Sequence, residues 1–464
     1  MQRADREVAM SSYRELSYWH GSVGASGDAL EQRPGLDGDA DADVVIVGGG
    51  LTGLWTAWYL LEAEPDARIL VIEKEIAGFG ASGRNGGWCS ALFPRSTASL
   101  AKAHGRDAAI AMRRAMIDTV DEVGRAAATA GIDCDYLRGG TVVYARSEVQ
   151  ERAARADVAE TAEYGVDTLA WWGPDRVRAA GARGGTFDPN CARLHPAKLV
   201  RGLARSLEQR GVRIAEGTTA TRVETGRVET DRGVVRCDRV VIALEGYGAQ
   251  LPQTHRRVLP LYSLMIATEP LPDELWDELD LPHGRTFSDY RHLIVYGQRT
   301  ADNRFAFGGR GARYHLGSAI KPEFDRAERV FAHLRRTLGE LFPAIGDVAV
   351  THRWGGPLGV PRDWHAAVRY DPATRIGTAG GYVGDGLSTT NLAGRTLAQL
   401  LTGADTELTR LPWVGHRSRD WEPEPLRFAG ANAGLLAMTA ADLEERVTHR
   451  PSLVARAMGP LVGH

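Results

Sequence analysis

Cysteine and lysine are the scarce residues of this chain. Only four cysteines, Cys89, Cys134, Cys191 and Cys237, occur in 464 residues, and no two of them form a C-x-x-C pair. This pattern excludes a disulfide framework and a cysteine-built zinc site, and it suits a reducing compartment. No metal is expected. Of 56 basic residues only Lys74, Lys102, Lys198 and Lys321 are lysines, a bias that reflects coding composition. The net charge of −3 supplies no basic excess for binding nucleic acid or an anionic membrane. No secretory signal is readable in MQRADREVAM, which mixes both signs of charge and leads into no apolar core; the default expectation is cytoplasmic.

The chain is 43% apolar and 25% charged, an ordinary balance for a globular protein with a sizeable core. At roughly 100–200 residues per domain, the length suggests two or three structural units. The uncharged run from Val44 to Leu61 sits at the lower edge of what could cross a bilayer. Three consecutive glycines, Gly48 to Gly50, interrupt it, and the periodicity changes on either side. Val44 to Val47 is a β-branched block, as in a strand buried on both faces. Beyond it, Leu51, Leu54, Trp55, Trp58 and Leu61 follow helical spacing. A second β-branched strand, Ile69 to Ile72, ends on Glu73 and Lys74.

Strand, glycine turn, helix, strand and terminal acid are the context in which G-x-G-x-x-G signals dinucleotide binding. Gly48 permits the tight turn, Gly50 lets backbone approach a pyrophosphate, and Gly53 lets the helix pack on the strand. Leu51 and Thr52 open the helix whose N-terminal N–H groups face the phosphates. Glu73 is placed to accept hydrogen bonds from a ribose diol. After it comes GFGASGRNGGW, Gly78 to Trp88, a loop whose glycines allow close approach to a flat or anionic ligand.

At this loop the chain resembles the flavoenzyme family that includes D-amino-acid oxidase, sarcosine oxidase and glycine oxidase, and most of all its γ-glutamylputrescine oxidase branch. In that family the segment matched by Ala81, Ser82, Arg84, Asn85, Gly86 and Gly87 runs beneath FAD toward the isoalloxazine ring. The resemblance extends from about residue 41 to 430. It makes Val223, in TRVET, the residue whose backbone meets adenine. It also matches Ala243, Leu244 and Glu245 to a turn that usually reads Ala-Thr-Asn, so the threonine contact is missing here. In GTAGGYVGDGLSTTNLAGRTLAQLL, a glycine loop leads into an amphipathic helix. The family aims that helix's N-terminus, here Gly384, Gly386, Leu387, Ser388 and Thr389, at the pyrimidine edge of the flavin, as suits negative charge on reduced flavin.

The resemblance implies an α/β fold: a glutathione-reductase-like FAD-binding Rossmann domain with a discontinuous α+β substrate domain on a mixed or antiparallel sheet. FAD-domain pieces are expected at 41–95, 190–255 and 350–403, and substrate-domain pieces at 96–189 and 256–349. The latter include helices at Ala108 to Ala130 and near Pro322 to Leu341, and a strand at Thr141 to Tyr144. Residues 404–464 read as a helical extension, and 1–40 as a partly mobile segment. The implied activity is oxidation of a small amine or amino acid to an imine, with oxygen the favoured acceptor over a dehydrogenase partner. The implied pocket residues are Trp88, Tyr262, Arg310, Trp354 and Asp385, with Gly355 beside the cofactor.

Arg310 could pair with a substrate carboxylate or stand in water at a sheet edge. Asp385 could bind a substrate ammonium group, although capping the helix is its more ordinary use. Trp88-Cys89 is similar to the Trp-His of dimethylglycine-oxidase relatives, whose histidine bonds FAD. The spacing here differs, so Cys89 reads as a buried thiol and FAD as non-covalent. Sarcosine oxidases also carry a lysine that activates oxygen on a substrate-domain strand, where Phe305-Ala306-Phe307-Gly308 has alanine.

Overall fold

A computed structural model of the chain describes residues 13–166 and 169–462. Its first sheet has eight strands, six of them running in the order Ala220–Glu224, Arg227–Thr230, Gly233–Ile242, Ala40–Val47, Ile69–Ile72 and Arg213–Ala215. Ala40–Val47 lies parallel to both of its neighbours, and Val44 to Val47 are buried, as the charge-free β-branched block requires. Ile376–Gly380 adds a further parallel pairing to Gly233–Ile242 and carries Ala367–Asp371 antiparallel on its outer side. The helix Leu51–Ala63 is buried on every side as far as Leu61. It packs against the helix Gly386–Leu401 so closely that a Cβ on Gly394 would lie 2.6 Å from that of Trp55. The uncharged run is therefore a buried strand, a glycine turn and a core helix. No helix among the described residues is long and apolar enough to cross a membrane.

The second sheet also has eight strands, in the order Val350–Val360, Leu259–Thr268, Phe305–Gly309, Val295–Arg299, Thr286–Asp289, Thr141–Ala145, Gly184–Asp188 and Ala170–Trp172. All its pairings are antiparallel except Thr286–Asp289 with Thr141–Ala145. Phe287, Phe305, Phe307 and Phe342 fill its core, where the helix Glu328–Leu341 presents Val330, Leu334, Leu338 and Leu341 at helical spacing. Burying each such side chain contributes about 1.5–3 kcal/mol relative to leaving it in water.

Several boundaries differ from the sequence reading. Val350–Val360, assigned there to the first unit, pairs along its length with Leu259–Thr268 in the second sheet. The run that reads as one helix from Pro322 is a 3₁₀ turn, Pro322–Asp325, and a helix beginning at Glu328, separated by the extended backbone of Ala327. A small sheet of Trp88–Ser90, Cys191–Arg193 and Leu137–Arg138 was not anticipated. Of the first forty residues, 1–12 lie outside the described residues. The rest are packed rather than loose: Tyr18–Ala25 is a helix capped by Ser17, and Trp19, Leu30 and Leu36 are buried. Toward the C-terminus the chain forms the helices Leu426–Thr448 and Leu453–Val462.

Candidate active site

The turn after Val47 is built for glycine. Gly48 has φ +115°, and a Cβ there would lie 2.5 Å from the Ala243 carbonyl oxygen. A Cβ on Gly53 would lie 2.2 Å from the Gly48 carbonyl, so the helix rests directly on the turn. Gly50 is different. Its backbone is extended, and a Cβ would meet only the Ser82 hydroxyl, at 2.9 Å. It begins the helix without any side-chain cap, which leaves N-terminal N–H groups for an anion; Leu51 N–H already donates to Ser82 Oγ at 2.9 Å. Thr52 is buried, its hydroxyl 3.0 Å from that of Tyr382. The arrangement suits a diphosphate.

Glu73 closes the turn. Its Oε2 accepts the Gly49 N–H at 2.8 Å and its Oε1 the Glu75 N–H at 2.9 Å. Burial pushes its carboxyl up to about 7 against the pull of those two N–H groups, and each oxygen keeps a lone pair for a further donor. Lys74, by contrast, is exposed. At the end of Gly233–Ile242 the chain passes Ala243 and Leu244, and Glu245 adopts φ +47°. Glu245 accepts the Tyr382 N–H at 3.0 Å, and burial raises its carboxyl to about 7. Leu244 thus stands where the family pattern has threonine, and the acid that follows it ties two chain segments. Val223 lies within the strand Ala220–Glu224, its carbonyl accepting from the Gln253 amide at 3.1 Å.

The glycine loop is pinned from below. Ala81–Arg84 forms one helical turn, and Asn85 folds its amide back to the Ala81 carbonyl at 3.0 Å while accepting the Gly87 N–H at 2.8 Å. Arg84, with only 2% of its side chain exposed, donates to Asp325 at 2.6 Å, to the Gly355 carbonyl at 2.9 Å and to the Tyr247 hydroxyl at 2.8 Å. A Cβ on Gly86 would strike the Tyr296 ring at 2.6 Å, and one on Gly87 would lie 2.1 Å from the Gln298 amide nitrogen.

Three of the five expected pocket residues are joined through neighbours: Trp88 packs on Tyr296, and the Arg310 charge acts on both Tyr296 and Asp385. Trp88 donates its indole N–H to the Gly297 carbonyl at 3.1 Å and stands edge-on to Tyr296, whose hydroxyl is 2.8 Å from Ser263 Oγ. Arg310 donates to the Val383 carbonyl at 2.5 Å and lies 5.2 Å from the Trp364 ring centre, so it is no solvated sheet-edge residue. Asp385 precedes the helix Gly386–Leu401 but makes no side-chain cap bond; the cap reading is corrected. Burial raises its carboxyl to about 6, opposed by the nearby Arg310 charge. Behind it Thr389 Oγ donates to the Asp385 carbonyl at 2.5 Å, Ser388 Oγ to the Ser90 carbonyl, and Leu387 is buried, while Gly384 is open to solvent.

The other two lie elsewhere. Trp354 is buried, its indole donating to the Arg84 carbonyl at 2.8 Å and its ring packed on Trp19. Tyr262 is buried against His315 and Phe324. Cys89 is fully buried, which drives its thiol well above the usual range and leaves it inert. Tyr296, Trp364, Tyr382 and Gln298 escaped the sequence reading. Tyr296, Tyr382 and Gln298 lie more than two hundred residues from the loop or turn that they touch, and Trp364 more than fifty from Arg310, so no local spacing could mark them.

Comparison with known proteins adds a family. The DAO family of FAD dependent oxidoreductases matches residues 43–400. The chain is 31% identical over 393 residues to the probable oxidoreductase OrdL of Rhizobium meliloti, covering 82% of this chain and 87% of that protein. It is likewise 31% identical over 399 residues to the gamma-glutamylputrescine oxidoreductase of Escherichia coli, covering 82% and 90%. Among solved structures, glycine oxidase from Geobacillus kaustophilus superposes with a TM-score of 0.67 over 81% of this chain and 99% of that one, at 19% identity. L-proline dehydrogenase from P. horikoshii gives 0.65 over 81% and 96%, at 17% identity.

Proposed function

This chain belongs to the DAO family of FAD-dependent oxidoreductases, and from that premise we propose that it oxidises a small amine or amino acid at the carbon beside nitrogen. FAD, when bound, supplies an acceptor for the hydride of that C–H bond. The substrate nitrogen gives up a proton as well, so the product is an imine, which water hydrolyses to a carbonyl compound and ammonia or, from a secondary amine, a smaller amine. Oxygen is the favoured final acceptor and hydrogen peroxide its product. The γ-glutamylputrescine oxidoreductase of Escherichia coli gives the amine reading its support.

The cofactor would be held without a covalent bond. Its diphosphate would rest on Gly48, Gly50 and the N–H groups of Leu51, Thr52 and Gly53; its ribose would meet Glu73 and its adenine the Val223 backbone. Ala81, Ser82 and Arg84 to Gly87 would lie under the ring system, with Ala243 to Glu245 and Gly355 flanking it. Gly384 and Gly386 to Thr389 would face its edge. Lys74 is the weakest of these candidates because it points to solvent.

One observation carries the substrate reading: Asp385 lies close to Arg310, which stands against Trp364 and near Tyr296, itself in contact with Trp88. The aromatic rings exclude water and orient an aliphatic chain. Above pH about 6 the Asp385 carboxylate attracts a substrate ammonium and can take its proton, leaving the neutral amine that hydride loss needs. Arg310 offers its remaining N–H groups to a carboxylate or carbonyl on the same substrate. The test is an aerobic screen of polyamines, N-methylated amines and amino acids, scoring hydrogen peroxide against carbonyl product. Peroxide in step with product from a cationic amine is expected; product only with an added electron-accepting dye would replace the oxidase reading with a dehydrogenase.

A further inference from the structure

A second cavity of about 240 Å³ opens beside the N-terminal helix, lined among others by Tyr18, Trp19, Arg193, Lys198, Gln298 and Asp302. Its four charged side chains, Asp135, Asp302, Arg193 and Lys198, cancel in number but not in pairs. Lys198 Nζ pairs with Asp135 at 2.8 Å, on the rim of the same cavity. Asp302 accepts from the Tyr18 hydroxyl at 2.5 Å, from Thr300 at 2.7 Å and from Arg304 at 2.8 Å. His195 is neutral at physiological pH, because burial holds it down to about 3. Arg193 is left over. It is 6% exposed, its Nε is buried without a partner, and among the described residues no hydrogen bond or ion pair reaches its guanidinium.

Burying a cation without a direct partner is costly unless something supplies the opposite charge, and Asp135, already paired to Lys198, acts on Arg193 only from a distance. Elsewhere this chain pairs its buried arginines: Arg84 with Asp325, Arg201 with Asp28, Arg33 with Glu216. We propose that the cavity at Arg193 is a binding site for a small carboxylate, which supplies the missing direct partner through the planar fork of the guanidinium. Asp135 and Asp302 on the same wall select against a doubly charged anion such as phosphate. The cavity takes a ligand of about the size of a short-chain acid. Gln298 links this site to the glycine loop: it lines the cavity while its amide donates to the Gly86 carbonyl at 2.6 Å. A filled site would therefore bear on the loop next to Trp88 and Tyr296. The inference does not depend on the reaction proposed above.

The test titrates the full-length protein, as purified, with sodium acetate, against sodium chloride and sodium phosphate at matched ionic strength, by calorimetry. The expected result is one saturable acetate site per chain, at least tenfold tighter than chloride or phosphate. It should be weakened at least tenfold in Arg193→Gln and unchanged in Arg410→Ala, an exposed arginine paired with Asp405. No saturable acetate binding, tighter phosphate binding, or an undiminished site in Arg193→Gln each overturns it. Should Arg193→Gln not fold, crystals of the unaltered protein soaked in bromoacetate decide the matter. Bromine density beside the Arg193 guanidinium supports the site, and bromine only elsewhere overturns it.

Discussion

Replacing Gly50 by valine separates the binding of the cofactor from the stability of the fold. The backbone at Gly50 is extended, with φ −86° and ψ 179°, which valine adopts freely. A Cβ there meets nothing within 4 Å but the Ser82 hydroxyl group, 2.9 Å away at the end of a rotatable side chain. Turning Ser82 aside gives up its bond from the Leu51 N–H, a loss of about 1 kcal/mol. Valine is also a poorer helix N-cap than glycine, by about another 1 kcal/mol. The apoprotein should therefore melt cooperatively with about 2 kcal/mol less stability. FAD should suffer far more, because the added methyl groups occupy the space proposed for its diphosphate. A loss of at least about a thousandfold in affinity, about 4 kcal/mol, is expected. Gly53→Ala makes the contrast: its Cβ would press on the Gly48 carbonyl at 2.2 Å and on Ile46, so it should damage folding itself. The assays are the flavin-to-protein absorbance ratio after purification and a circular-dichroism melt. A folded Gly50→Val protein that purifies with its full complement of FAD would refute the reasoning.

Asp385→Asn should remove an acidic limb near pH 6 from the kcat/KM profile for cationic amines, since the carboxylate attracts them above its pKa of about 6 and loses them below. Because that carboxyl binds its proton more tightly folded than unfolded, its contribution to stability falls as pH rises between about 4 and 6, and melts of Asp385→Asn should lack this slope. Arg84→Ala should cost about 3–5 kcal/mol in denaturant unfolding by breaking a buried charge's bonds to the half-buried Asp325 and Tyr247; a change below about 1 kcal/mol would contradict the pinned loop. Arg310→Ala should raise KM about tenfold or more for substrates that carry a carboxylate and leave simple amines little changed, as steady-state kinetics on matched pairs would reveal.

What the sequence made legible follows from how local each feature is. The turn at Gly48 to Gly53 was readable because strand, glycines, helix and Glu73 fall within one stretch whose spacing is dictated by the shape of a dinucleotide. The helices Arg106–Thr129 and Leu51–Ala63 were readable from their periodicity, to within about two residues. Val350–Val360 was misplaced because its neighbours in sequence serve the first sheet, while its hydrogen bonds go to Leu259–Thr268. The candidate substrate cluster was half visible. Trp88, Arg310 and Asp385 sit at loop and strand ends where motifs point, whereas Tyr296 and Trp364 enter through tertiary packing alone. Trp354 and Tyr262 carry the same residue types but point into the core. The lack of a cap bond at Asp385 depends on its side-chain orientation, which no pattern of residue types encodes.

The most direct measurement is the visible spectrum of the purified protein under nitrogen, before and after adding cationic amines. The account predicts an oxidised flavin spectrum with about one FAD per chain, released intact on denaturation, that bleaches with at least one amine. A colourless protein, or a yellow one whose spectrum no amine or amino acid changes, would contradict it.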